Sequence, residues 1–216
     1  MFGSIAERYD LANHALSCGL DFLWRRRVVG MVEKWSPRRV LDLATGTGDL
    51  ALLLQDRLLD AEVTGADFSA EMLEVAQRKG LKRTALADGR QLPFADETFD
   101  VVTIAFGLRN LPDWAEGLRE MLRVIRRGGH LLILDFSLPE QSLVRALYRL
   151  YLHRVVPFVG GFLTHRPEAY DYLGESIENF PHGAAMAELI ERCGFGVAKG
   201  EPLSCGIVTI YSAARP

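Results

Sequence analysis

The sequence predicts an open α/β fold with a mostly parallel sheet, and three observations carry that expectation. Strand-like apolar runs alternate with helix-like periodic segments over residues 40–136. The first run, Val40, Leu41 and Leu43, passes through Gly46-Thr47-Gly48 into an apolar helix. The fourth, residues 100–105, is continuous and β-branched, as strands covered on both faces are. Single helices between strands favour parallel pairing through right-handed crossovers.

The elements follow in order. Residues 1–36 read as a helical amino-terminal cap, and the first strand follows at 40–43. Leucines 50, 53, 54 and 58 lay a stripe along a helix over 50–59. A second short strand over 62–66 ends at Asp67. Ser69 is placed to cap a helix over 70–78, with Glu71 in its first turn where the dipole favours an anion. Short strands at 84–87 and 100–105 come next. Trp114, Leu118, Met121, Leu122 and Ile125 repeat at helical spacing, predicting an amphipathic helix over 113–127 that Gly128-Gly129 should end. Residues 130–136 make the fifth strand.

After Pro139 the alternation stops. Residues 140–182 show no convincing strand and begin with a helix that has Leu143, Leu147, Leu150 and Tyr151 on one side and Arg145 and Arg149 on another. A break at 157–161 and an aromatic helix with Tyr170 and Tyr172 follow. A helix over 184–193 and two strands near 196–201 and 207–213, close enough to pair antiparallel, bring the strands to seven. The expected organisation is one domain of residues 1–216: the cap 1–36, a ligand-binding core 37–139, a helical insertion or lid 140–182, and a helix with a strand pair over 183–216.

Composition narrows the function classes. With 216 residues, 49% of them hydrophobic, the chain can bury a substantial core. A net charge of −3 argues against a nucleic-acid partner, and Arg25-Arg26-Arg27 reads as a solvated helix face or a local anion contact. Three cysteines without C-x-x-C spacing suggest neither a disulfide framework nor a zinc site, and none of the five histidines has ligand spacing, so no metal is expected. No leader segment and no run of about 18 apolar residues is visible, which makes a cytoplasmic protein the expectation.

Gly46-x-Gly48-x-x-Ala51 satisfies the looser dinucleotide pattern, and Asp67 lies 21 residues after Gly46, placed to accept from two ribose hydroxyls. NAD enzymes and S-adenosylmethionine enzymes share both features. Asp42, inside the strand before the glycines, needs a positive or hydrogen-bonding partner, which the ammonium of a methionyl group could supply. Asp88, after the third strand, could take an adenine amino group. An ordinary turn residue and a loop cap are the plain alternatives for these two. Acids at three successive strand ends favour S-adenosylmethionine over NAD.

Longer segments carry a resemblance. They stand here as Met1-Phe2, Tyr9-Asp10, Trp24-Arg25, Val40-Leu41-Asp42, Gly46-Thr47-Gly48-Asp49 and Asp67-Phe68-Ser69. They continue as Leu92-Pro93-Phe94, Phe106-Gly107-Leu108-Arg109-Asn110, Arg119-Glu120-Met121, Tyr172-Leu173 and Phe180-Pro181. In these the chain is similar, nearly end to end, to the menaquinone/ubiquinone biosynthesis C-methyltransferase family. The resemblance implies the class I S-adenosylmethionine-dependent methyltransferase fold, a Rossmann-like seven-stranded sheet with a terminal antiparallel strand. It also implies cofactor contacts from Thr47, Asp67, Asp88 and Gly89, beside Asp42, Gly46 and Gly48. Ala105 stands where some members carry a serine, so that hydroxyl is missing, and Tyr211-Ser212-Ala213 replaces a usual His-x-Gly.

The implied reaction is C-methylation of a polyprenyl quinol ring, demethylmenaquinol to menaquinol as the last step of that pathway, with a ubiquinone-pathway benzoquinol as the alternative acceptor. A reduced ring becomes nucleophilic at carbon once a hydroxyl loses its proton, so the site needs a proton path and a cation for the phenolate. Arg109 is the candidate for stabilising that oxygen or orienting a water, and Asn110 for orienting the ring. Tyr9, His165 and Tyr170 are lesser candidates for the substrate pocket. The helix over 141–156, with its arginines, could rest on an anionic membrane surface, which would make the protein peripheral to the inner face of the membrane. A homodimer is left open. An NAD-dependent oxidoreductase and a non-catalytic subunit that binds S-adenosylmethionine are the readings from other classes.

Overall fold

A computed structural model describes residues 16, 17, 19–157 and 168–216 of the chain. Strands β1 (Arg39–Leu43), β2 (Glu62–Asp67), β3 (Thr84–Leu86), β4 (Phe99–Ala105), β5 (Ile125–Phe136), β6 (Lys199–Leu203) and β7 (Val208–Ala214) form one sheet. Their order is β3-β2-β1-β4-β5-β7-β6. β1 to β5 run parallel, and β7 pairs antiparallel with both β5 and β6. Among the described residues the helices are α1 (Leu20–Glu33), α2 (Asp49–Arg57), α3 (Ala70–Arg78), α4 (Trp114–Val124), α5 (Ser142–Leu150), α6 (Glu168–Asn179) and α7 (Ala184–Arg192). Strand order reverses between β1 and β4, and such a switch point opens a crevice at the carboxyl ends of the strands.

The central strands β1, β4 and β5 bury apolar side chains on both faces because each face has its own cover. Leu41, Leu43, Val102, Ile104, Leu131 and Ile133 point to one side and pack with Leu118 and Met121 of α4 and Met186 and Ile190 of α7. Their neighbours Val40, Val101, Leu132 and Leu134 pack on the other side with Val28 and Val32 of α1 and Leu50 and Leu54 of α2. The period of two along each strand thus feeds two cores, and each fully buried leucine contributes about 1.5–3 kcal/mol.

Local signals set several boundaries. Ser69 caps α3 by accepting from the Met72 amide at 3.3 Å. Asp113 caps α4, accepting from Glu116 N at 2.9 Å. Two boundaries differ most from the sequence expectation. α4 stops at Val124 and β5 starts at once, so Gly128-Gly129 shapes a bulge inside the strand instead of ending the helix. Gly128 has φ +72°, and a Cβ on Gly129 would lie 2.7 Å from the Asp100 carbonyl oxygen. The helix end is held from the far end of the chain, where Arg215 donates to the Leu122 and Arg123 carbonyls at 2.9 and 3.0 Å. β6 begins at Lys199, not 196, because Glu191 takes the Ala198 amide at 3.0 Å and delays the ladder with β7.

Residues 140–157 and 168–182 contain no strand. α5 runs on through a π-helical turn at Tyr151–Val155, and Tyr148, Leu152 and Val156 pack against Ile177 of α6 over Leu138.

Candidate active site

A cavity of about 1390 Å³ opens at the carboxyl ends of β1, β2 and β4. Its floor is the glycine turn. Ala44, Gly46 and Gly48 have φ of +52°, +57° and +88°, so the chain winds through left-handed conformations that only glycine adopts freely. A Cβ on Gly46 would meet nothing within 4 Å, which leaves bare backbone facing the cavity. At Gly48 a Cβ would sit 3.0 Å from the Ala76 Cβ, so that glycine lets α2 approach α3.

Asp67 splints this turn. Its carboxylate accepts from Gly46 N at 2.8 Å and from Ser69 N at 2.9 Å, tying the turn to the start of α3. A carboxylate has about four lone-pair directions, so capacity for ribose hydroxyls remains. Asp42, 1% exposed, already has partners within the protein: Thr45 and Thr103 each donate a hydroxyl at 2.7 Å. Burial pushes its carboxyl up to about 6 against the pull of those hydroxyls and of the Arg25 charge. Two threonines are thus the hydrogen-bonding partners that this buried acid needs within the protein, and Asp42 also lines the cavity.

Asp88 is held below the usual carboxylate range by Arg90, whose guanidinium reaches it at 2.8 and 3.2 Å. A Cβ on Gly89 would lie 2.9 Å from Leu111 Cδ2, so this glycine makes room for a cavity-lining leucine. Thr47 accepts from Lys79 Nζ at 3.1 Å.

Arg109 sits in the turn Leu108–Asn110 after β4, 8% exposed. Its Nη1 donates to Asp135 Oδ1 at 2.8 Å, and its Cζ lies 5.2 Å from the Phe136 ring centroid. Asp135, on β5, is wholly buried; burial pushes its carboxyl up and the Arg109 charge draws it back. Arg109 Nε is the one buried side-chain nitrogen or oxygen among the described residues with no hydrogen-bond partner. Leaving such a donor unpaired costs about 1–3 kcal/mol, so the position calls for an acceptor that the protein does not provide. Asn110 is exposed on the cavity wall, its Nδ2 donating to the Phe106 carbonyl at 3.4 Å. A Cβ on Gly107 would clash with Ala44 Cβ at 2.4 Å, so this glycine lets the β4 turn press against the β1 turn.

The cavity therefore gathers Asp42, Gly46, Thr47, Asp67, Asp88, Gly89, Arg109 and Asn110, with Gly48 just behind. Ala105 also faces it and offers no hydroxyl. Tyr9 and His165 lie outside the described residues, and Tyr170 falls on α6 with its side chain outside them. The sequence reading missed Asp135, Arg25, Phe106, Phe136 and Tyr148. Asp135 had a signal: Leu-Asp at the end of β5 repeats the Leu41-Asp42 pattern of β1. Arg25 had one too, since positions 21, 25, 28, 29 and 32 share a helical face. Among the described residues no three His, Cys, Asp or Glu side chains converge on a metal site, and no helix is long and apolar enough to cross a membrane.

The model of the ubiE/COQ5 methyltransferase family matches residues 1–215. A demethylmenaquinone methyltransferase of Thermus thermophilus is 47% identical over 100% of both chains. One from Deinococcus radiodurans is 44% identical over 90% of this chain and 83% of that protein. A ubiquinone/menaquinone biosynthesis C-methyltransferase of Geotalea daltonii is 40% identical over 100% and 94%. A crystal structure of an S-adenosylmethionine-dependent methyltransferase from Thermotoga maritima superposes with a TM-score of 0.68 at 18% identity, covering 100% of this chain and 98% of that one. Phosphoethanolamine N-methyltransferase 2 of Haemonchus contortus, solved with S-adenosylmethionine, gives 0.61 at 15% identity over 83% and 49%. These two solved structures share the fold, the class I methyltransferase sheet expected from the sequence.

Proposed function

We propose, on the premise that the chain belongs to the ubiE/COQ5 methyltransferase family, that it methylates a ring carbon of a polyprenyl quinol, demethylmenaquinol in the first place. The chain is an S-adenosylmethionine-dependent methyltransferase by that membership, and the NAD-dependent reading has no support beside it. The naphthoquinol is favoured because relatives sharing 44–47% of residues are named for it, and a benzoquinol stays the alternative.

The residues present fit the cofactor. Gly46 offers bare backbone to the cavity, and Asp67 has acceptor capacity for ribose hydroxyls beside it. Thr47 and Asp42 flank the same turn, while Asp88 and Gly89 stand at the next strand end, where the adenine would lie. Bound there, S-adenosylmethionine supplies an electrophilic methyl group on a sulfonium.

One observation carries the acceptor reading: a buried arginine at the cavity wall, fixed by a buried aspartate, has an N–H without a protein acceptor. A phenolate oxygen in the cavity would be drawn to that guanidinium, and a shift of the side chain would bring the sealed Nε–H to it. A guanidinium offers N–H donors and no acceptor, so Arg109 stabilises the oxyanion and leaves the proton to water. Phe106 and Phe136, their rings 4.8 Å apart, keep that wall apolar and so strengthen the charge interaction. Tyr148 lines the same cavity, and burial pushes its hydroxyl well above the ordinary tyrosine value, so it is a neutral donor there and no base. Asn110 would orient the ring.

Labelled methyl from S-adenosylmethionine should enter reduced demethylmenaquinol, faster than a demethylated benzoquinol, and should not enter the oxidised quinone. Absence of label in either quinol, with S-adenosylhomocysteine still bound, would sink the acceptor class and leave a non-catalytic binding subunit.

The acceptor's tail bears on α5. Leu143, Leu147 and Leu150 are 72%, 61% and 58% exposed, and Leu147 also lines the cavity. Two arginines read as basic flanks are occupied within the protein. Arg145 donates to the Pro139 and Glu140 carbonyls at 2.7 and 2.8 Å, and Arg149 pairs with Glu178 at 2.9 Å. A peripheral contact of the 140–182 lid with the bilayer would therefore rest on the leucines more than on charge. The double variant Leu143→Glu, Leu150→Glu should lower sedimentation with anionic vesicles several-fold and keep activity on a short-chain quinol. Unchanged sedimentation would remove the contact.

A further inference from the structure

Arg25 is the second arginine buried at this cavity, and the acceptor chemistry does not use it. α1 brings it down beside the glycine turn, 9% exposed, with its Cζ 5.5 Å from the Phe106 ring centroid. Its Nη1 pairs with Asp21 one helical turn earlier. Its Nη2 lies 3.7 Å from Asp49 Oδ2, beyond hydrogen-bond length, while the other Asp49 oxygen is 3.0 Å from Lys79 Nζ. Asp21, Arg25, Asp42, Thr47 and Asp49 all line the cavity, and Arg25 and Lys79 tie Asp21, Asp49 and Thr47 together. Lys79, the other cation nearby, is one-third exposed and does not reach the cavity wall.

The two buried guanidiniums divide the site. Arg109 stacks on Phe136 and Arg25 on Phe106, on two rings in contact. Arg109 serves the side where a phenolate would form. Arg25 serves the side of the Gly46-Thr47 turn, where the carboxylates are. A methionyl group is a zwitterion, so its pocket needs an acid and a base side by side. Asp42, Asp21 and Asp49 supply the acid; Arg25 is the buried base among the described cavity residues at that end. A guanidinium also matches a carboxylate in shape, two parallel donors meeting two oxygens.

We propose that Arg25 receives the α-carboxylate of the cofactor's methionyl group, giving up its long contact with Asp49. The assignment rests on the S-adenosylmethionine reading of the cavity. It makes α1 part of the binding site, so that ligand binding draws the amino-terminal helix onto the glycine turn.

The test uses calorimetric binding of three ligands: S-adenosylhomocysteine, its decarboxylated analogue, which keeps the amine, and 5′-methylthioadenosine, which lacks the amino-acid head. The wild type should bind S-adenosylhomocysteine at least tenfold tighter than the decarboxylated analogue. Arg25→Gln should close that gap, weakening S-adenosylhomocysteine at least tenfold while leaving the other two within about twofold. Arg25→Lys should recover part of the loss. Equal wild-type affinity for S-adenosylhomocysteine and its decarboxylated form overturns the assignment without any variant, so a folding defect in Arg25→Gln does not shield it. Equal weakening of all three ligands by Arg25→Gln also overturns it, in favour of a purely structural ion pair. Failure of all three to bind the wild type overturns the cofactor reading itself.

Discussion

Arg109→Gln is expected to lower kcat by about 10²- to 10³-fold, the usual cost of removing one preorganised group that stabilises developing negative charge. S-adenosylhomocysteine affinity should change little, because the residues proposed for the cofactor lie at the Gly46-Thr47 turn, Asp67 and Asp88, which also line the cavity. Glutamine ends two bonds short of the guanidinium tips and carries no charge, so the loss would measure the charge together with the reach to Asp135. Arg109→Lys should recover only part of it. The ammonium cannot both hold Asp135, as Nη1 does at 2.8 Å, and present the Nε–H that lacks a partner. The measurement is a steady-state comparison of kcat with a separate binding titration. Equal loss in both would move Arg109 from acceptor chemistry to cofactor binding.

Asp135→Asn is expected to cost about 3–5 kcal/mol of stability, the typical result of leaving a buried charge without its partner. Asp135 is fully buried and Arg109 8% exposed, so water cannot take over the role of the carboxylate. For a chain of this length the melting temperature should fall by on the order of 10 °C. The double variant Arg109→Met, Asp135→Leu should regain most of that stability, since apolar residues of similar volume often replace a buried ion pair without loss. It should remain inactive. Thermal denaturation of the two variants beside the wild type, with an activity assay, separates the cases: a double variant as unstable as Asp135→Asn would show that the pair is structural glue, and an active one would remove its catalytic role.

Several parts of this site were readable along the chain. The Gly46-Thr47-Gly48 turn, the acid 21 residues on, the Ser69 cap and the alternation of strands with helices are short-range features. Each depends on φ/ψ preferences, on the hydrogen bonds of a helix end, or on a burial period, all set within one element and its loop. The placement of Asp67, with its carboxylate on Gly46 N and Ser69 N, needs only β1 and β2 to be neighbours.

What stayed hidden were the partners. Nothing near Asp42 in sequence says that Thr103, on β4, will donate to it, because that bond exists only through the β1–β4 register. Asp135 meets Arg109 because β4 and β5 lie side by side, and Arg25 leaves the basic run to reach the cavity while Arg26 and Arg27 stay exposed. Arg215 holds the end of α4 from the last residues of the chain.

By itself the sequence determined the α/β class, the nucleotide-type turn and, by its residue patterns, the methyltransferase family. Only the tertiary structure decided which charges are paired and which donor is left over, because a buried charge answers to whatever the fold brings within about 4 Å of it, and chain distance does not specify that neighbour.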